Sequence, residues 1–159
     1  MSSEDEQIQQ RRANLAKLGE MGVSAYPHRF DRTDTIGDLV GAYFDGHPDI
    51  QNATIQVEEP AHPAVASLPR PWTRRDEWYN FRRNPRGNVT VLATLDERSY
   101  SGGTMAPDHP IIWSHNYEGG RALYTALGHT QESFAEASFV EHLGRAILWA
   151  AGAPGPPSP

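Results

Sequence analysis

Cysteine is missing from the chain altogether. That removes disulfides, thiolate nucleophiles and zinc–thiolate sites together, so any covalent chemistry must run through a hydroxyl, an imidazole or a carboxylate. Long apolar runs are missing too. No stretch approaches the roughly 18 residues a membrane-spanning helix needs, and the opening MSSEDEQIQQ lacks the basic start and apolar run of a secretory signal. Positive charge is in deficit: 14 Lys and Arg against 20 Asp and Glu leave a net charge of -6. Such a balance argues against general affinity for nucleic acid or anionic membranes. A soluble, cytoplasmic protein is expected. No G-x-S-x-G, H-E-x-x-H or H-x-E motif occurs, so serine-hydrolase and zinc-hydrolase chemistry lack support. Gly102-Gly103 and Gly119-Gly120 do not open helices and read as turns rather than phosphate loops.

What is present suits one domain, since a chain of 159 residues can bury roughly 70% of its unfolded surface. Ser3 and Glu6 form a capping box ahead of Ile8, Leu15 and Leu18, predicting a helix that stops at Gly22. Residues 23–34 form an extended connector. A second short helix is predicted from Thr35, with Ile36, Leu39, Val40 and Tyr43 on one face. The texture then changes to strands at 53–59, 88–95, 109–117 and 121–127, the last two joined as a hairpin through Glu118-Gly119-Gly120. Between the first and second of these lies a long irregular loop. Ser138 and Glu141 form a second capping box, and Phe139, Leu143, Ile147 and Ala150 line one face of a final helix ending at Gly152. APGPPSP closes the chain as a disordered tail.

Candidate chemistry gathers in RPWTRRDEWYNFRRNPR, residues 70–86. Its arginines, 70, 74, 75, 82, 83 and 86, either contact phosphate with Trp72, Trp78 or Tyr79 as stacking platforms, or pair with the acidic excess elsewhere while Trp78 and Phe81 pack inward. Asp76 and Glu77 sit beside aromatic side chains that raise a carboxylate's pKa, as a general acid or base requires. Adjacent strand residues point to opposite faces, so one of the two, not a close pair, is the candidate; the other reading is a carboxylate paired with Arg74 or Arg82. His109, His115 and His129 lie near strand ends, where side chains of a sheet protein converge, although each also suits a hydrogen-bonded place near the core.

The blocks GAYFDGHP (41–48), DEWYNFRRNPR (76–86), VLATLDE (91–97), DHPIIWSHNYEGGR (108–121), YTALGHT (124–130) and FVEHLGRAILWAAG (139–152) resemble the ThuA-like, or trehalose-utilisation, family. The resemblance implies an α/β fold like that of the class I glutamine amidotransferases, with a flavodoxin-like sheet and no cysteine triad, and an association with sugar metabolism. It implies Glu77, His129 and His115 as catalytic residues, and Asp76, Trp78, Tyr79, His47 and Tyr117 as substrate-binding residues, with no metal and no cofactor. The family's first strands are not found ahead of residue 41. Residues 6–40 instead resemble the N-terminus of bacterial class II lysyl-tRNA synthetases. The chain thus divides into a synthetase-like helical segment (1–40), a truncated ThuA-like domain (41–152) and the tail (153–159). A carbohydrate-associated function, impaired by the missing strands, is expected; the alternative is a tRNA- or partner-binding module built on the synthetase-like helix and the arginine cluster. A small sugar and a second copy joined through an uncovered sheet edge are the expected partners, not nucleic acid or a membrane.

Overall fold

The computed structural model describes residues 42–153, Val40, and residues 8, 9, 12–14, 16, 17 and 20, which are helical and exposed. The rest of the first predicted helix, most of the second, and residues 154–159 of the tail lie outside the described residues. The chain divides into two units, Met1–Thr33 and Asp34–Pro159, and the second holds everything that follows.

Seven strands form in this unit: β1 (Phe44–Gly46), β2 (Gln51–Val57), β3 (Trp72–Asp76), β4 (Asn80–Phe81), β5 (Thr90–Asp96), β6 (Pro110–Tyr117) and β7 (Gly120–Thr125). Five of them make one sheet in the order β3-β2-β5-β6-β7, with β1 and β4 paired beside it. Every ladder is antiparallel. A flavodoxin-like sheet needs parallel strands joined by crossover helices. Among the described residues no such pair exists: the strands are joined by loops, and helix α1 (Ala137–Ala150) follows the last of them. The fold is mixed α/β, but its described sheet departs from the expected parallel one.

The central strands β5 and β6 are covered on both faces. Val91, Leu92 and Ala93 are buried in succession, as are Ile111, Ile112 and Trp113, which is why both read as continuous apolar runs. Edge strand β3 was hidden from sequence because its inward positions are Trp72, Arg74 and Asp76, with Thr73 and Arg75 exposed. The alternation is present, but two of its three buried positions carry charge. The hairpin turn after β6 has Glu118 at φ 48° and Gly119 at φ 78°, the two-residue turn whose twist matches that of its strands.

Helix α1 differs from its forecast at both the cap and the buried face. Its N-cap is Glu136, not a Ser138–Glu141 box, because Glu136 is drawn away to Trp72 and Arg74 and Glu141 pairs with Arg145 at 2.8 Å. The buried side chains are Phe139, His142, Arg145 and Ala146, while Ile147 is 68% exposed. Two polar residues on the inner face rotate the helix away from the purely apolar stripe.

His142 is there because it has a partner. Its Nδ1 donates to the Ala64 carbonyl at 2.8 Å, and the Ala64 N–H donates to His62 Nδ1 at 3.3 Å. Burial pushes both imidazoles below their ordinary value; the Arg74 and His62 charges act in the same direction on His142, whereas Glu59 opposes it at His62. Folding therefore favours the neutral rings. Their contribution to stability is complete above the unfolded value of 6.5 and is lost as the pH falls below it towards the folded values. Thermal melts should give a Tm that drops through this mildly acidic range, and His142→Gln should make the drop shallower; an unchanged slope in that variant would contradict the assignment.

Candidate functional site

Strands β3, β5 and β7 run in one direction, and β2 and β6 in the other. The ends of β3, β5 and β7 and the starts of β2 and β6 therefore share one end of the sheet. Glu77 follows β3, His129 follows β7, and His47 precedes β2. His115 and Tyr117, late in β6, belong to the opposite end.

Asp76 organises the loop end. Its carboxylate is fully buried, and Oδ1 accepts from the Glu77 and His129 amides at 3.0 Å each. Oδ2 accepts from the Gly128 amide at 2.7 Å and from Arg74 Nη1 at 2.9 Å. One side chain thus sets the turn carrying Glu77 against the turn carrying His129. Arg74 is itself buried, donating through Nε to Glu136 at 2.9 Å and through Nη2 to Ser133 at 2.8 Å. Its guanidinium carbon lies 4.9 Å from the ring centroid of Trp72 and 4.8 Å from that of Phe139. A buried charge with this many partners is a strut, not a binding surface. Gly128 adopts φ 97° with an added Cβ only 2.6 Å from Phe139, so no other residue fits the turn without displacing that ring.

Glu77 is the centre of the site. Its side chain is 9% exposed, with Oε1 lying 3.1 Å from His47 Nδ1 and Oε2 3.0 Å from His129 Nδ1. The two imidazoles are 40% and 47% exposed, so the carboxylate is sunk between rings that reach solvent. His47 Nδ1 also meets the Pro48 carbonyl at 3.0 Å, which fixes the proton on Nδ1. For His129 the facing carboxylate favours the same tautomer, leaving Nε2 of each ring as an outward base. The Tyr79 hydroxyl bonds to Glu77, and its pKa is raised first by burial, then by that bond and the charges of Glu77 and Asp76. Tyr79 therefore remains a donor. Phe44, 51% exposed, packs edge-on against Tyr79 at 5.1 Å and beside His47 at 5.9 Å.

Behind the site, His109 is sealed in the core. Its Nδ1 lies 2.8 Å from Glu97, and its Nε2 donates to the Tyr79 carbonyl at 2.9 Å. Asn80 receives the Thr104 amide at 3.1 Å and donates to the Gly102 carbonyl at 3.1 Å. These bonds fasten the 97–109 excursion beneath the Glu77–Tyr79 turn.

Of the residues expected in the site, Glu77, His129, His47 and Tyr79 come together. Asp76 lies under them with its carboxylate wholly occupied, so it supports the site and does not face a ligand. Trp78 is fully buried and donates to the Gln51 carbonyl at 2.8 Å; its place is the core. His115 and Tyr117 lie at the far end of the sheet, because β6 runs away from the loop end. Phe44 was missed: it stands in the GAYFDGHP block and shows only as an unexplained aromatic. The pairing of one carboxylate with Arg74 was among the readings, and Asp76 is that carboxylate.

The arginine cluster disperses. Arg86 is bound by Glu58 and Asp108, Arg82 lies 3.5 Å from Asp45, and Arg70 donates to the Ala66 carbonyl at 2.7 Å. Arg75 and Arg83 remain exposed, while Trp72, Trp78 and Phe81 are buried and Tyr79 is half-buried, so the indole rings are withdrawn as stacking platforms. Among the described residues no three His, Asp or Glu side chains are grouped to hold a metal ion, and no helix is long and apolar enough to cross a membrane.

Fold and site together define a mixed α/β protein with a carboxylate–imidazole cluster at one end of a curled antiparallel sheet. The family model described as ThuA, trehalose utilisation, matches residues 6–150, and the chain belongs to that family. The match begins inside the segment likened to a lysyl-tRNA synthetase, and no comparison supports that second likeness or a division at residue 41. Among solved structures, a ThuA-like protein from Bacteroides uniformis is 26% identical with a TM-score of 0.60, the match covering 72% of this chain and 49% of that one. Another, from Parabacteroides merdae, is 23% identical with a TM-score of 0.53 over 77% of this chain and 52% of its own; it speaks to the fold alone. The chain spans about half the length of both. No curated protein matches it in sequence.

Proposed function

We propose that Glu77, His129 and His47 form an acid/base site for a small sugar, with Tyr79 and Phe44 as its walls. The observation that carries the reading is the sunken Glu77 carboxylate with a solvent-reaching imidazole on each side. A carboxylate facing Nδ1–H holds the ring's tautomer and stabilises the imidazolium that forms when Nε2 takes a proton. Either ring can take a proton from a bound hydroxyl at Nε2, and the imidazolium so formed, held by the carboxylate, can return that proton to another position of the ligand. The Tyr79 hydroxyl and the exposed Phe44 ring supply the mixed polar and aromatic wall that hydroxylated rings favour. The family's description as trehalose utilisation points to the same ligand class.

Trehalose, its keto derivatives and related sugars should raise the Tm through ligand linkage, and His129→Ala should reduce the rise while leaving the unliganded Tm close to that of the parent. No shift with any sugar at millimolar concentration would count against the site.

A further inference from the structure

The opposite end of the sheet carries a cleft of about 490 Å3, lined by His62, Gly87, Asn88, Val89, Thr90, Ser114, His115, Asn116 and Trp149. Its volume falls in the range of about 300–1,000 Å3 usual for small-molecule sites. The lining is unusual for this surface because it contains no Asp, Glu, Lys or Arg. By contrast, a cleft of about 550 Å3 over β2 and β5 is lined by Glu58, Asp96, Glu97, Arg98 and Asp108, and Asp96 and Arg98 there bond to each other.

The wall of the charge-free cleft holds unused hydrogen-bonding capacity. Both ring nitrogens of His115 and Nε2 of His62 are buried without a partner, an unfavourable state that a hydrogen-bonding ligand would relieve. Because the Ala64 N–H donates to His62 Nδ1, the neutral His62 ring carries its proton on Nε2 and offers a donor. His115 in its neutral form offers one donor and one acceptor. The amides of Asn88 and Asn116 and the hydroxyls of Thr90 and Ser114 add groups that both give and accept. Trp149 supplies the apolar side, but its ring is already engaged, with the Arg121 guanidinium 5.4 Å away and the His62 ring 4.8 Å away. A flat aromatic ligand therefore finds little ring to stack on, and an ion finds no charged side chain in the lining.

We infer that this cleft, built by His62, His115, Asn116 and Trp149, is a second binding site that takes a neutral polyhydroxylated ligand, a sugar or polyol. Alternating donors and acceptors without net charge match hydroxyls, each of which does both. The site stands apart from the Glu77 cluster and does not depend on its chemistry.

Trp149 makes the test local. Trp72, Trp78 and Trp113 are at most 3% exposed, so Trp149 dominates acrylamide quenching of tryptophan fluorescence. Glucose, trehalose and sorbitol at millimolar concentrations should at least halve that quenching, with free tryptophan amide in the same solutions correcting for viscosity. Asn116→Asp, an exposed change that adds a charge, should remove the protection, as should His115→Ala. Glu77→Gln should leave it intact, so failure here is distinguishable from failure of the acid/base site. Trp149→Phe should leave no quenchable component. Unaltered quenching in the parent would overturn the inference, as would protection that survives Asn116→Asp and His115→Ala, or protection by adenosine and not by polyols.

Discussion

Asp76→Ala is expected to cost about 3–5 kcal/mol of folding free energy, the penalty typical of removing one partner from a buried ion pair. Arg74 would keep its bonds to Glu136 and Ser133 but lose the buried anion at 2.9 Å, while the amides of Glu77, Gly128 and His129 would lose their acceptor. Asp76→Asn should be nearly as harmful. Both carboxylate oxygens receive donors, so wherever the new amide nitrogen is placed it faces an N–H. Urea unfolding of the two variants checks this, and a loss under about 1 kcal/mol, the range of an ordinary hydrogen bond, would show that Asp76 is not the organiser of this end. The same variants should lose the sugar response of the Glu77 site while still partly folded, because the distance between Glu77 and His129 is set by that carboxylate.

Glu77→Gln separates chemistry from architecture. Glutamine matches the shape of the side chain, and the Glu77 carboxylate makes contacts with His47, His129 and Tyr79 without bracing buried backbone, so the Tm should change little. Its amide nitrogen would face one of the two Nδ1–H groups, upsetting the tautomer of that ring, and the charge that stabilises an imidazolium would be gone. The sugar-dependent stabilisation that arises at this site should vanish, leaving only that of the charge-free cleft, and any turnover should fall by about a hundred- to ten-thousandfold, the usual contribution of a general acid/base. A variant that binds and turns over like the parent would remove Glu77 from the site.

Much of this was legible from residue order, and the failures share one cause. Strands β5, β6 and β7 announce themselves because their apolar and β-branched residues follow the pleat or fill a doubly covered sheet. β3 does not, because Arg74 and Asp76 occupy inward positions that only a network with Glu136 and Ser133 makes tolerable. The inner face of α1 was misplaced because two polar side chains are buried with partners: His142 with Ala64, far away in sequence, and Arg145 with Glu141 one turn earlier. Glu77 and His129 were marked as candidates by the DEWY and GHT blocks, but the divide between Asp76, its carboxylate wholly occupied, and Glu77, facing two imidazoles, is a matter of which side chain points inward. His115 looked equivalent to His129 because both stand near strand ends. Strand direction decides between them, and that requires the topology.

The bonds from Asp76 to Gly128 and His129 span 52 and 53 residues of chain, and they join the segments that follow the two outermost strands of the sheet. Hairpins such as β6–β7 close over a few residues and lose little chain entropy in forming, whereas the Asp76 bonds close loops of some fifty residues at a larger entropic cost. The Glu77–His129 pair therefore depends on long-range contacts between the two edges of the sheet, and loosening either edge separates its members.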